Sequence, residues 1–255
     1  MMSIDSKKVS QKLIEFIKAA CKKAGFSRAV IALSGGVDSS TSLALSVQAL
    51  GKDNVFPLLL PYGDLNPQGV VDANLLIDKY DLAKSHVFSI NIKSFVDPML
   101  ALDAPMDNVR QGNIMARTRM ILLFDEAKKQ NALVIGTENK TEHLLGYFTR
   151  FGDSASDIEP LRNLYKTQVY ELAKHLGIPE QILNKKPTAG LWEGQTDEGE
   201  FGFTYKDADE ILLQLFDEKK IVEDIVASGF DRSLVEKVQS WVSKNSFKHN
   251  LPILP

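Results

Sequence analysis

RAVIALSGGVDSS, Arg28 to Ser40, decides the fold. Six residues dominated by apolar side chains run into a Ser-Gly-Gly turn, and a helix-forming stretch follows to about Leu50. The order is buried strand, tight turn, helix. Gly35 and Gly36 let backbone N–H groups come close to an anion. Ser39 and Ser40 add hydroxyl donors at a helix N-terminus, whose dipole favours negative charge. The stretch lacks the Gly-Lys-Ser/Thr of a Walker loop, so no lysine is placed for β and γ phosphates. Asp38 beside a phosphate makes sense only with a divalent cation between them, and a magnesium-bound pyrophosphate meets that condition. The plainer reading is a strand-to-helix turn capped by Asp38 or Ser39.

Outward from this turn the chain alternates. An amphipathic helix over Lys7–Lys23, stopped by Gly25, precedes it. Asn54–Leu60 reads as a second strand, weakened by Pro57. A helix over Val70–Leu82 and a third strand over His86–Ile90 follow, then a long helix over Asp107–Gln130 and a fourth strand over Ala132–Gly136. This alternation predicts an α/β protein with a parallel sheet covered on both faces and ligands at the carboxyl ends of the strands. Beyond Gly136 a short helix, a loop rich in Gly, Asp and Ser, and a helix over Tyr165–Leu176 are expected. Ala189–Tyr205 carries four glycines and four acidic residues with little periodicity and reads as a mobile loop. Asp207–Trp241 is expected to return to helix, and Phe247–Pro255 to form a tail. No repeat or linker separates two cores, so residues 1–255 read as one domain, with a core over about 25–185 and a lid with helices over about 186–255.

The 255 residues are 44% hydrophobic and 25% charged, with a formal net charge of −3. That balance gives no footprint for nucleic acid or an acidic membrane. A lone cysteine, Cys21, excludes an intrachain disulfide, and with four scattered histidines it argues against a structural zinc site. Neither a signal-type apolar core nor an apolar run of roughly 20 residues is present, so a cytoplasmic protein is expected.

The Ser34–Ser40 string resembles the signature of the ATP pyrophosphatase, or PP-loop, family. Four further blocks resemble the NAD synthetases within it: Asn113–Met120, Gly136–Glu142 with Gly146–Asp153, Leu164–Val169 with Lys186–Ala189, and Gln195–Glu198 before Phe201-Gly202 and Tyr205. The resemblance implies a three-layer α/β/α fold with a mostly parallel Rossmann-like sheet, adenine nucleotide alpha hydrolase-like. It implies ATP-dependent amidation of deamido-NAD by ammonia to NAD, AMP and pyrophosphate through an adenylated intermediate, with Mg2+ as cofactor, in a homodimer.

Residue by residue, the resemblance assigns Ser34, Gly35, Gly36, Val37, Asp38, Ser39, Ser40, Thr137, Lys166 and Thr188 to ATP. Asp38 and Glu142 fall to magnesium, and these two with Lys166 to catalysis. Arg117, Arg150, Asp157, Phe247 and Lys248 fall to deamido-NAD. Val37 stands where many members have glutamine and Arg150 where many have lysine. Phe247-Lys248 replaces a His-Lys pair.

Several of these residues have simpler explanations. Asn139 and Glu142 could form a capping box. Arg110 and Arg117 lie seven apart on one helix face and could be solvated. Lys166 at a helix start is mildly unfavourable unless a phosphate is near. His143 and His175 receive no role. Rival readings are the synthetase domain of a GMP synthetase, a tRNA-thiolating enzyme and a non-catalytic nucleotide sensor. The Gly146–Asp153 block, the single cysteine and the carboxylate pair count against them in turn. With little sequence before Ser34 for an amidase domain, free ammonia rather than glutamine is the expected nitrogen donor.

Overall fold

The computed structural model describes residues 2–249 and Pro252. Helix α1 (Ser6–Ala24) leads through Gly25, which adopts φ of 82°, to strand β1 (Ala29–Ala32). Helix α2 (Val37–Leu50), β2 (Val55–Leu59), α3 (Pro67–Lys79), β3 (Phe88–Ser89), α4 (Lys93–Leu100), α5 (Asn108–Gln130) and β4 (Leu133–Ile135) complete the alternating part. There follow α6 (Lys140–Leu145), α7 (Lys166–His175), α8 (Glu180–Leu183), α9 (Asp197–Phe201), α10 (Tyr205–Leu212), α11 (Val222–Ala227) and α12 (Arg232–Asn245).

The four strands are parallel and ordered β3-β2-β1-β4. Chain direction along the sheet reverses at β1, so the loops after β1 and β4 open onto one crevice, where open α/β sheets bind ligands. Strand alternation sorts the core into two layers. Ala29, Ile31, Leu33, Val55 and Leu59 face α1, α2, α3 and α7. Val30, Phe56, Leu58, Leu60 and Val134 face α4 and α5. The expected three-layer α/β/α arrangement is present.

Helix α2 is buried on almost every side. Its hydroxyls are therefore satisfied internally: Thr41 donates to the Val37 carbonyl at 2.7 Å and Ser46 to the Ser42 carbonyl at 2.7 Å. Leu43 and Leu45 are fully buried. Truncating either to alanine costs roughly 2–5 kcal/mol.

Strand β2 is internal, although Pro57 argues for an edge. Leu58 gives its carbonyl to the Leu33 N–H, so alternation turns Pro57 toward β3, whose pairing begins only at Leu58. The missing proline donor breaks no ladder bond. Asp207–Trp241 is helical in three pieces: a widened π-type turn at Leu213–Asp217 ends α10, and α11 and α12 follow after turns. One further expectation is corrected. Ala189–Tyr205 is not structureless, because α9 forms inside it and Phe201 and Phe203 enter a third apolar cluster with Tyr205, Val235 and Val238. Of the tail, Phe247–His249 is described, and residues 250–251 and 253–255 lie outside the described part.

Candidate active site

The turn after β1 is packed against α3 with no room for a side chain. Gly35 has φ of 73°, and a Cβ there would stand 2.3 Å from the Gly69 carbonyl oxygen. Only glycine meets both conditions. Ser34 and Ser39 hydroxyls lie 3.0 Å apart, and the Gly36 N–H donates to Ser34 Oγ at 3.3 Å. Ser40 is fully buried and donates its hydroxyl to the Gly36 carbonyl at 2.6 Å, which braces the first turn of α2.

Adjacent strands then place Asp38, at the start of α2, beside Glu142, in the first turn of α6. Asn139 caps α6 by accepting from the Glu142 N–H at 3.0 Å, and the Glu142 carboxylate accepts in return from the Asn139 N–H at 3.4 Å. The Asn139 amide also donates to Asp38 Oδ1 at 2.9 Å. The capping box and the facing carboxylates are therefore one arrangement, not alternatives. Lys166, first residue of α7 and 3% exposed, lies between the two acids, 2.6 Å from Asp38 Oδ2 and 2.9 Å from Glu142 Oε1. Its ammonium also stands 4.9 Å from the centre of the Tyr205 ring. A cation at a helix N-terminus is disfavoured by the dipole, and the two carboxylates offset that.

Burial pushes Glu142 up to about 8, with Lys166 opposing and Asp38 reinforcing the shift. Burial works against the Lys166 charge, yet Asp38 and Glu142 outweigh it and hold the ammonium well above its ordinary range. The lysine keeps its proton, and burial disfavours the ionised form of the glutamate beside it.

The α6 and α7 N-termini are tied together by a residue that the sequence did not single out. Asp209 of α10, fully buried, accepts from the Thr141 hydroxyl and from both the N–H (2.8 Å) and hydroxyl (2.7 Å) of Thr167. Only the fold brings it there, from 68 positions beyond Thr141. A second buried acid, Asp72 of α3, takes Lys185 at 2.5 Å, and the same ammonium donates to the Gly35 carbonyl at 3.2 Å.

The other predicted residues separate into two groups. Thr137 is half-buried at the same sheet edge, between β4 and α6. Thr188 follows Lys185, and its hydroxyl donates to the Gln195 carbonyl at 2.8 Å. Around the corner, Arg117 donates to the Arg150 carbonyl at 3.2 Å, and the Arg150 guanidinium stands 4.9 Å from the centre of the Phe247 ring. Lys248 donates to the carbonyls of Gly146 and Phe148 at 2.6 and 3.0 Å, and burial lowers its pKa. Arg150 and Lys248 border a pocket of about 200 Å³ lined also by Phe148, Phe151, Ser154 and His249. Asp157 accepts from the Val134 N–H of β4 at 2.8 Å with one carboxylate oxygen. Arg110 pairs with Asp103 at 2.7 Å. His143 has partners after all: it contacts Arg162 at 3.0 Å and its ring meets those of Phe148 and His249. A larger pocket of about 470 Å³, beside Leu215, Ile221 and Val242, lies away from all these groups.

Among the described residues no three His, Cys, Asp or Glu side chains converge as a metal cage. Two carboxylate donors do fit a magnesium ion that brings phosphate oxygens with it, since Mg2+ favours one or two carboxylates plus substrate phosphates.

An open parallel sheet with a glycine–serine anion loop and two carboxylates at its switch point defines an α/β protein of the phosphate-binding class. The chain belongs to the NAD synthase family, whose model matches residues 9–252. It is 43% identical over 253 residues to an NH3-dependent NAD+ synthetase of Fusobacterium nucleatum, covering 99% of this chain and 97% of that one. Among solved structures it is similar to NMN synthetase from Francisella tularensis, with TM-score 0.86, 36% identity and 99% of each chain covered. The NH3-dependent NAD synthetase from Campylobacter jejuni gives TM-score 0.83 and 33% identity, covering 99% of this chain and 100% of that one.

Proposed function

We propose that the chain amidates the nicotinate carboxylate of deamido-NAD with ammonia at the expense of ATP. The observation that carries this reading is the meeting of Asp38, Lys166 and Glu142 at the β1/β4 crevice, within a chain of the NAD synthase family. A carboxylate does not accept ammonia directly, because its oxygen leaves too poorly. In the proposed first step a carboxylate oxygen attacks the α-phosphorus, the bond to the β-phosphate breaks and pyrophosphate leaves. In the second, the ammonia nitrogen attacks the acyl carbon, the carbon–oxygen bond breaks, AMP departs with that oxygen and a proton is lost from nitrogen.

Such chemistry needs alignment and charge stabilisation more than proton transfer. The Ser34–Ser39 backbone and hydroxyls would hold the phosphates, with Lys166 turned toward them and Thr137 and Thr188 flanking. Asp38 and Glu142 would hold magnesium, which supplies neutralisation of the phosphate charge. Arg117, Arg150 and Lys248 supply the cationic wall an anionic dinucleotide needs, with Asp157 and Phe247 beside it. Residues 186–205 serve as the lid that keeps water from the adenylate.

Exposed Val109 and Ile121 on α5 and Leu102 before it support a homodimer interface beside that wall. No described helix is long and apolar enough to cross a membrane. A cytoplasmic location and independence of nucleic acid and membrane complete the reading. The test supplies ATP, Mg2+ and ammonium with either deamido-NAD or nicotinate mononucleotide. Equal amounts of NAD, AMP and pyrophosphate from deamido-NAD are expected. Turnover of the mononucleotide alone, or release of ADP, would overturn the assignment.

A further inference from the structure

Asp209 is fully buried in the middle of α10 and does nothing for its own helix, which Thr204 caps by accepting from the Asp207 N–H. Its carboxylate reaches across to two other helices. Oδ1 takes the Thr141 hydroxyl of α6, and Oδ2 takes the Thr167 N–H and hydroxyl of α7 at 2.8 and 2.7 Å. The Thr141 hydroxyl in turn accepts from the Lys166 N–H at 2.9 Å. The first two N–H groups of α7 are thus held by one carboxylate, the second directly and the first through Thr141. Left open, such N–H groups would draw an anion. Here they are spent inside the protein, so from these two residues the crevice receives the Lys166 side chain and no free N–H.

Thr141 immediately precedes Glu142, and Thr167 immediately follows Lys166. The carboxylate that joins the two threonines therefore sets the gap across which the Lys166 ammonium lies 2.9 Å from Glu142 Oε1. Tyr205, four residues before Asp209 on the same face of α10, places its ring 4.9 Å from that ammonium. Burial pushes the Asp209 carboxyl up, against the threonine donors and the Lys166 charge. A carboxylate so deep is tolerated only when its acceptor sites are used. An apolar side chain would pack α10 against α6 and α7 at less cost, and what the carboxylate adds is direction.

We propose that Asp209 is a positioning residue of the reaction: it locks the first turns of α6 and α7 at one separation, so that Glu142 and Lys166 address the same phosphate group. This rests on the proposed function above. Lys166 must leave the two acids for a phosphate when ATP binds, and the clamp lets its side chain turn while its backbone stays fixed.

The test is a double-mutant cycle over the wild type, Asp209→Asn, Lys166→Met and the pair together. Asp209→Asn keeps the volume and loses the charge and one acceptor oxygen. Two readouts are taken: the Kd for ATP with Mg2+, and residue-resolved amide hydrogen exchange at 166 and 167. Asp209→Asn should weaken ATP at least about tenfold when Lys166 is present, and less than about twofold in Lys166→Met. A merely structural Asp209 would weaken both alike. The two amides should exchange at least about tenfold faster in Asp209→Asn, with exchange in the sheet unchanged. Equal weakening in both backgrounds, or wild-type exchange at 166 and 167, overturns the proposal. Should Asp209→Asn fail to fold, Thr141→Val removes only the hydroxyl that links Lys166 to Asp209 and carries the same outcomes. A wild type that makes no NAD sinks the functional reading instead, while the exchange comparison still decides whether Asp209 holds the two helices.

Discussion

Replacing Lys166 by methionine removes the ammonium from between two acids whose side chains are 17% and 16% exposed, while nearly keeping its volume. Two carboxylates that share one ammonium lie roughly 5 Å apart, and unscreened they repel by about 3 kcal/mol at an effective dielectric of about 20. Removing one partner of a buried ion pair costs about 3–5 kcal/mol. For a chain of this size each kcal/mol moves Tm by roughly 2–4 °C, so a fall of about 6–20 °C is expected. The repulsion needs both acids ionised, so the deficit should be largest above about pH 8 and shrink as Glu142 takes up a proton below that. It should also shrink when Mg2+ is added without nucleotide. A cation at roughly ten times its Kd returns about 1.4 kcal/mol. The wild type, with its ammonium in place, should respond little to Mg2+ alone. Thermal unfolding of both proteins across pH, with and without Mg2+, measures all of this. A variant with the wild-type Tm, or one indifferent to both acid and Mg2+, would refute the reasoning.

Asp38→Asn and Glu142→Gln should each keep the fold, by circular dichroism, and lose at least about a hundredfold in synthesis; near-normal turnover in either would remove both from the phosphate site. Gly35→Ala forces a side chain onto the Gly69 carbonyl at φ of 73° and should cost more than about 1 kcal/mol and weaken ATP binding. Gly25→Ala, where a Cβ meets nothing, should cost only about 1 kcal/mol in denaturant unfolding and leave ATP binding unchanged. Burial holds Glu142 at about 8 in the folded chain, above the 4.5 of an ordinary glutamate. The stability it confers is complete below pH 4.5 and is lost as pH rises toward 8. Wild-type Tm without ligands should decline over that window relative to Glu142→Gln, and the opposite slope would contradict the burial of this carboxylate. At limiting total ammonium, synthesis should rise toward alkaline pH as the neutral amine increases, and glutamine freed of ammonia should support almost none.

The sheet and its first loop were legible because their signals are local. RAVIAL, the Ser-Gly-Gly turn and the serine-rich helix sit within one stretch, and β1 and β4 become neighbours by the ordinary rules for parallel α/β folds. The Asn139–Glu142 spacing was legible as a cap, and what it could not show is that the same two side chains face Asp38. Asp209 was beyond reach for a related reason. Its partners lie 42 and 68 positions away, and in a charged segment an acid that will be buried looks like one left in solvent. Helix α4 was missed too, with Pro98 inside its eight residues, and the π-type turn that breaks Asp207–Trp241 leaves hydrophobic spacing close to that of a continuous helix.

The central claim is that the substrate carboxylate itself attacks ATP, and an isotope decides it most directly. Deamido-NAD labelled with 18O in both oxygens of the nicotinate carboxylate is turned over with ATP, Mg2+ and ammonium, and the products are weighed by mass spectrometry. One label in AMP, one retained in the amide of NAD and none in pyrophosphate is the predicted result. AMP without label, with NAD still formed, would contradict the account.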